Sequence, residues 1–75
     1  MGERGAPRLT SDHVIGILRH HGFLQVGASG SHQKWRHPLT GKQVIVAYRR
    51  GRVLPFGTMR AIIEGSGIAV SQWLR

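Results

Sequence analysis

The sequence predicts an α+β fold of order αβββα, a three-stranded antiparallel sheet with two helices on one face. Three observations predict it. Val14, Ile17, Leu18 and His21 recur at helical spacing and stop at Gly22. Three short segments of strand character follow, joined only by brief turns rich in Gly and Pro, and connections that short make neighbouring strands antiparallel. Met59, Ile62 and Ile63 then form a second apolar helical face. At 75 residues the chain has room for one small domain, expected over residues 10–75 behind a frayed polar tail at residues 1–9.

Each element has a local reason. Thr10 or Ser11 offers an N-cap and Asp12 suits the positive end of a first helix, expected over residues 11–21. Residues 23–28 alternate apolar and polar side chains and form a first strand, ended by Gly27, Ser29 and Gly30. Residues 32–37 form a second strand, with Gln33, Trp35 and His37 on one face and His32, Lys34 and Arg36 on the other. Pro38-Leu39-Thr40-Gly41 is a turn, and its proline holds His37 extended. Residues 42–48 form a third strand whose Val44-Ile45-Val46 run is β-branched on both faces, the pattern of a strand covered on both sides, by its own fold or by a partner. Thr58 is the expected cap of the second helix, Gly65 and Gly67 its end, and Ser71 the cap of a last turn carrying Trp73 and Leu74.

Charge narrows the function. Eleven Lys and Arg oppose three Asp and Glu, a formal net charge of +8, and no acid lies between Asp12 and Glu64. A polyanionic partner is the simple physical reason for such a surface. The scarcity of carboxylates excludes a two-metal nuclease site and a paired-carboxylate glycosidase. With no cysteine there is neither a disulfide framework nor a thiolate metal site, which fits a reducing compartment. No apolar run approaches the roughly 20 residues of a membrane helix. The first eight residues lack the apolar stretch of a signal peptide. The expectation is a soluble, cytoplasmic protein with no membrane association and no metal or other cofactor.

Histidine is what remains for acid–base work, at positions 13, 20, 21, 32 and 37. His32 stands out. It opens a strand just after Gly30-Ser31, and Lys34 and Arg36 project from the same face. An imidazole has a reference pKa of about 6.5, suited to accepting the proton of an RNA 2′-hydroxyl, which then attacks its own phosphate without a metal. Two neighbouring cations can hold that phosphate and stabilise charge as it builds. His13, His20 and His21 lie on or beside helix 1, and His37, before a proline on the Trp35 face, reads as structural. Trp35 itself reads as core rather than as a base-stacking platform. Tyr48 fits either a stacked base or cover for the sheet edge. Arg49-Arg50-Gly51-Arg52 suits a phosphate contact, with Lys42 a further basic position. The start of helix 2 near Gly57-Thr58, beside Arg60, offers free amides and a positive dipole end.

These residues resemble a known family. Ile17-Leu18 leading to His21-Gly22-Phe23, then Gly30-Ser31-His32, then Arg36-His37-Pro38, and finally Gly57-Thr58-Met59 with Ile62, Ile63, Gly67 and Ile68, are similar in order and spacing to the HicA (YcfA-like) mRNA interferase toxins. The resemblance runs over about residues 11–74. It implies a fold like that of double-stranded-RNA-binding domains, a catalytic histidine at His32, arrest of translation by cleavage of mRNA, and a HicB-type antitoxin that covers the site. Two features depart from the family pattern. Gln33 stands where many relatives carry a second histidine, and residues 49–56 replace a segment that often contains Pro, His and Gly-Lys.

Two functions from different classes follow. The first is a metal-independent endoribonuclease toxin of a type II pair, with His32 as acid or base and with water or His37 as the second proton carrier. The alternative is a non-catalytic RNA-binding module, for which fold plan and charge speak equally. A protein-docking module using the apolar third strand is a third reading, separated from both by the salt dependence of RNA binding.

Overall fold

In the computed structural model, residues 8–74 are described; most of the expected tail, residues 1–7, and Arg75 lie outside the described residues. The first helix, α1, spans Ser11–His20. Thr10 rather than Ser11 is its cap, its hydroxyl accepting the His13 N–H at 3.1 Å. Val14 and Leu18 face the core. Leu9, assigned from sequence to the tail, is instead half-buried, and its carbonyl accepts the Leu54 N–H at 2.8 Å. Thr10 pairs with Val53 in an isolated antiparallel bridge, so the ordered chain starts before the helix does.

Strands β1 (Leu24–Ser29), β2 (His32–Arg36) and β3 (Gln43–Ala47) form one sheet in the order β1-β2-β3, antiparallel throughout. The pairs Trp35↔Val44 and Gln33↔Val46 fix the register. Because side chains alternate along a strand, this register puts Trp35, Val44 and Val46 on one face. They are buried there with Val14, Leu18, Phe23, Leu54, Met59, Ile62, Ile63 and Trp73. The order and the one-sided packing are those expected from sequence.

Helix α2 spans Phe56–Ser66 and lies on β3. It starts two residues before the expected cap. Pro55 takes the N-cap position and Thr58 falls inside the first turn. Proline suits a helix start because it brings no N–H that would need a partner. Gly65 does not end the helix; a Cβ there would come within 3.1 Å of Val44 Cγ1, so glycine lets helix and strand approach. Gly67, at φ 71, is the left-handed C-cap. The last turn is a 3₁₀ segment, Val70–Trp73, with Ala69 as its N-cap, so Ser71 sits within it rather than capping it.

Two strand expectations need a closer look. The fold itself covers β3 on one side: Val44 and Val46 are buried, while Ile45 is 44% exposed on the open face, the side that the expectation left to a partner. Every residue of β1 is exposed, although its sequence alternates. β1 is an edge strand, Phe23 just before it does the packing, and a bulge between Gln25 and Gly27 breaks the alternation. Among the described residues no helix is long and apolar enough to cross a membrane.

Candidate functional site

The site is built on the outward face of β2. Trp35 anchors the strand from the inside, where it is buried and its indole N–H donates to Gln33 Oε1 at 3.1 Å. Alternation then forces His32, Lys34 and Arg36 outward, and all three are exposed. His32 is the first residue of β2 and pairs with Ser29 on one side and Ala47 on the other. Gly30, at φ 58, makes the β1–β2 connection a tight two-residue turn. Beside His32 lies a depression of about 260 Å³ lined by Gly27, Ala28, Ser29, His32, Lys34 and Ile45.

The basic loop leaves the sheet at the same end. The Tyr48 N–H donates to the Ser31 carbonyl at 2.8 Å, which sets the first loop residues against the start of β2. Ser11 then fastens the loop to α1. Its hydroxyl donates to the Arg49 carbonyl at 2.9 Å and accepts the Arg49 N–H at 3.0 Å. The Tyr48 hydroxyl donates to Asp12 Oδ1 at 2.9 Å. That bond raises the Tyr48 pKa above its ordinary value, helped by partial desolvation and the Asp12 charge and opposed by Arg50. Tyr48 is thus engaged by a carboxylate at the edge of the sheet. Farther on, Leu54 and Val53 are held by Leu9 and Thr10, and the chain enters α2. The first helical bond there is Met59 N–H to the Pro55 carbonyl, and no side chain caps the turn. The amides of Phe56, Gly57 and Thr58 therefore sit unused at the positive end of the helix dipole.

Register and connectivity thus put His32 and the basic loop of Arg49, Arg50 and Arg52 at one end of the sheet, with Lys34 two residues further along the same outward face; the α2 start with Thr58 follows that loop on the covered side. The structure leaves three expected residues out. The Arg36 guanidinium lies beside Gly41, where a Cβ would be 4.0 Å from Nη2, at the other end of β2. The Lys42 side chain runs across Gly67, its Cδ and Cε each 2.8 Å from where a Cβ would stand, and places a cation at the C-terminal end of α2. Arg60 pairs with Glu64 at 3.4 Å one helical turn on, with both side chains exposed. Among the described residues, His32, Lys34, Arg49, Arg50 and Arg52 have no hydrogen-bond or ion-pair partner for their side chains.

His37 is placed elsewhere and occupied. Its Nδ1 accepts the Leu39 N–H at 3.1 Å and the Thr40 N–H at 3.3 Å, and its ring meets Phe23 edge-on at 5.3 Å. Five residues of extended strand separate it from His32, about 17 Å at the strand rise, too far for both rings to serve one phosphodiester. His13, His20 and His21 lie on and just after α1, which packs on the covered side of the sheet. Sequence reasoning missed the Ser11 fastening. One signal existed: Ser11 falls on the spacing of Val14 and Leu18, and a polar residue in an apolar stripe needs a buried partner.

Fold and site define a class: a small basic αβββα domain with an exposed histidine and unpaired cations on the open end of its sheet. The chain belongs to the HicA toxin family; the family model for the HicA toxin of bacterial toxin-antitoxin systems matches residues 11–68. It is accordingly a toxin of such a pair, with an antitoxin as its partner. No curated protein matches the chain.

Proposed function

We propose that the chain is a metal-independent endoribonuclease that acts on mRNA, with His32 as its central catalytic residue. The observation that carries this reading is the state of His32: an exposed imidazole with no side-chain partner among the described residues, two residues from Lys34 on the same face and at the sheet end where the fastened basic loop begins. His32 takes the proton of a ribose 2′-hydroxyl. The 2′ oxygen forms a bond to the adjacent phosphorus, the bond from phosphorus to the 5′ oxygen breaks, and the leaving oxygen takes a proton from water. The products are a 2′,3′-cyclic phosphate and a 5′-hydroxyl. Lys34 faces the phosphate oxygens as charge builds on them. Arg49, Arg50, Arg52 and the open amides at the start of α2 hold phosphates along the strand. The exposed site is also what a HicB-type antitoxin would cover to silence the toxin.

The test is RNA cleavage by purified protein in excess EDTA, wild type beside His32→Ala, with a matched substrate carrying 2′-deoxyribose at the cut. The expected result is cleavage by the wild type alone, and none of the deoxy substrate. Cleavage of the deoxy substrate would overturn the mechanism. Salt-sensitive RNA binding without cleavage by either protein would replace the reading with a non-catalytic RNA-binding module.

A further inference from the structure

We infer that the depression beside His32 seats one nucleobase of the RNA strand, and that Gly27 and Ile45 are the residues that admit it. This rests on the ribonuclease reading and names how that same site holds its substrate.

Three observations converge on it. The first is Ile45, a large apolar side chain left exposed at the centre of the outward face, directly opposite Lys34 in register. What Ile45 contributes is an apolar wall to the hollow it lines, a surface the face of a base can cover. The second is Gly27. Its backbone is not left-handed, and a Cβ there would meet only Lys34 Cβ, at 4.0 Å. Neither backbone nor packing requires glycine at this position. Glycine inside a strand weakens it and often marks a place where a ligand comes close. The third is the bulge. Without the extra residue, Val26 would stand opposite Lys34; the bulge puts Gly27 there and Ser29 opposite His32. The fold thus places its smallest residue where the hollow needs room.

Size and chemistry select the occupant. Sites for drug-sized ligands span about 300–1,000 Å³. The hollow, at about 260 Å³, suits one base rather than a longer piece of strand. Its walls are the Ile45 side chain, Ala28 and Gly27, flanked by the Ser29 hydroxyl, the Lys34 ammonium and the His32 ring. Apolar walls accept the face of any base. His32 and Lys34 at the rim put the neighbouring phosphodiester within their reach. Among the described residues Ser29 makes no side-chain hydrogen bond, which leaves its hydroxyl free for a base edge or ribose. The pocket therefore selects for the presence of a base more than for its identity.

The experiment uses short single-stranded RNAs of one sequence, each with a single base removed to leave an abasic site, and reads binding by fluorescence anisotropy. Cleavage is blocked in a parallel set with 2′-O-methylribose throughout, which removes the attacking hydroxyl and keeps an RNA-like sugar, so binding is read whether or not the protein cuts. For the wild type, abasic sites at one register are expected to weaken binding about tenfold, the order for uncovering the faces of one base. Gly27→Val fills the hollow without backbone strain; it is expected to bind intact RNA about tenfold more weakly and to lose the abasic effect. Ile45→Ser, at an exposed position, is the second variant and is expected to do the same, with an unchanged circular-dichroism spectrum confirming its fold. Wild-type binding indifferent to every abasic position would overturn the inference, as would folded variants that keep full affinity and full abasic sensitivity. Failure of His32-dependent cleavage would instead strike the ribonuclease reading and leave the binding result standing.

Discussion

The two histidines at the ends of β2 are alike in sequence setting and opposite in situation. His32 and His37 both flank a turn, and each lies within two residues of a cation. His37 spends its ring on structure: Nδ1 accepts two backbone N–H groups, and its edge rests on Phe23. A Cβ on Gly22, which sits at φ 90, would come within 2.9 Å of its Nε2. His32 spends nothing on the fold. The comparison teaches that a histidine available for chemistry is one the fold does not need.

The strongest way to break that comparison is to remove each ring in turn. His32→Ala should lower cleavage by about 10²–10⁴-fold, the usual contribution of a positioned acid–base group, while stability stays within about 0.5 kcal/mol. His37→Ala should do the reverse. It leaves the residue 39 and 40 amides without their acceptor and should cost about 1 kcal/mol in urea unfolding, with cleavage per folded molecule retained. Equal loss of activity in both variants would erase the distinction.

Ser11 sharpens the comparison from the other side, since it serves the site without touching substrate. Ser11→Ala strands both the N–H and the carbonyl of Arg49 and should destabilise the protein by about 1–3 kcal/mol. RNA affinity should fall as the loop loosens, whereas Ser11→Thr should restore part of both. A smaller effect is expected at Arg50. If it contacts a phosphate, Arg50→Ala should reduce the slope of log affinity against log salt by about 1, with no sequence preference. An unchanged slope would remove Arg50 from the interface.

The smallest effect concerns Tyr48. Its pKa lies above the ordinary 10.0, chiefly because its hydroxyl donates to Asp12. A group whose folded pKa exceeds its unfolded one adds stability that is complete below the unfolded value and is lost as pH rises through the folded value. The contact therefore helps at neutral pH and fades only in strong alkali. Asp12→Asn should bring the phenol titration, read by ultraviolet absorbance, back toward the ordinary value.

The order of elements and the two faces of β2 were legible in the sequence because periodicity is local. Trp35 could point only one way if Lys34 and Arg36 pointed the other. What the sequence hid was which residues meet across the chain. Lys42 looked like one more basic contact, yet it lies across Gly67 at the far end of α2. Thr58 looked like a cap because it is a threonine before an apolar run, yet Pro55 had already set the helix start. The β3 pattern signalled two covered faces without saying which the fold itself covers; the register puts Ile45 on the open one. Each of these depends on a partner tens of residues away or on a competing local choice, and composition carries neither. For the candidate site, the outward placement of His32 and Lys34 was legible in the sequence, and that of Lys42 and Arg60 was not.

The bulge in β1 also bears on how copies of this protein behave at high concentration. β1 is an edge strand with Leu24 and Val26 both more than half exposed, the profile of a template on which another chain could add a strand. The extra residue between Gln25 and Gly27 throws the unpaired backbone groups out of step with any straight incoming strand. Deleting Val26 would restore an even ladder of amides along an apolar edge, and the shortened protein should self-associate where the parent chain stays dispersed.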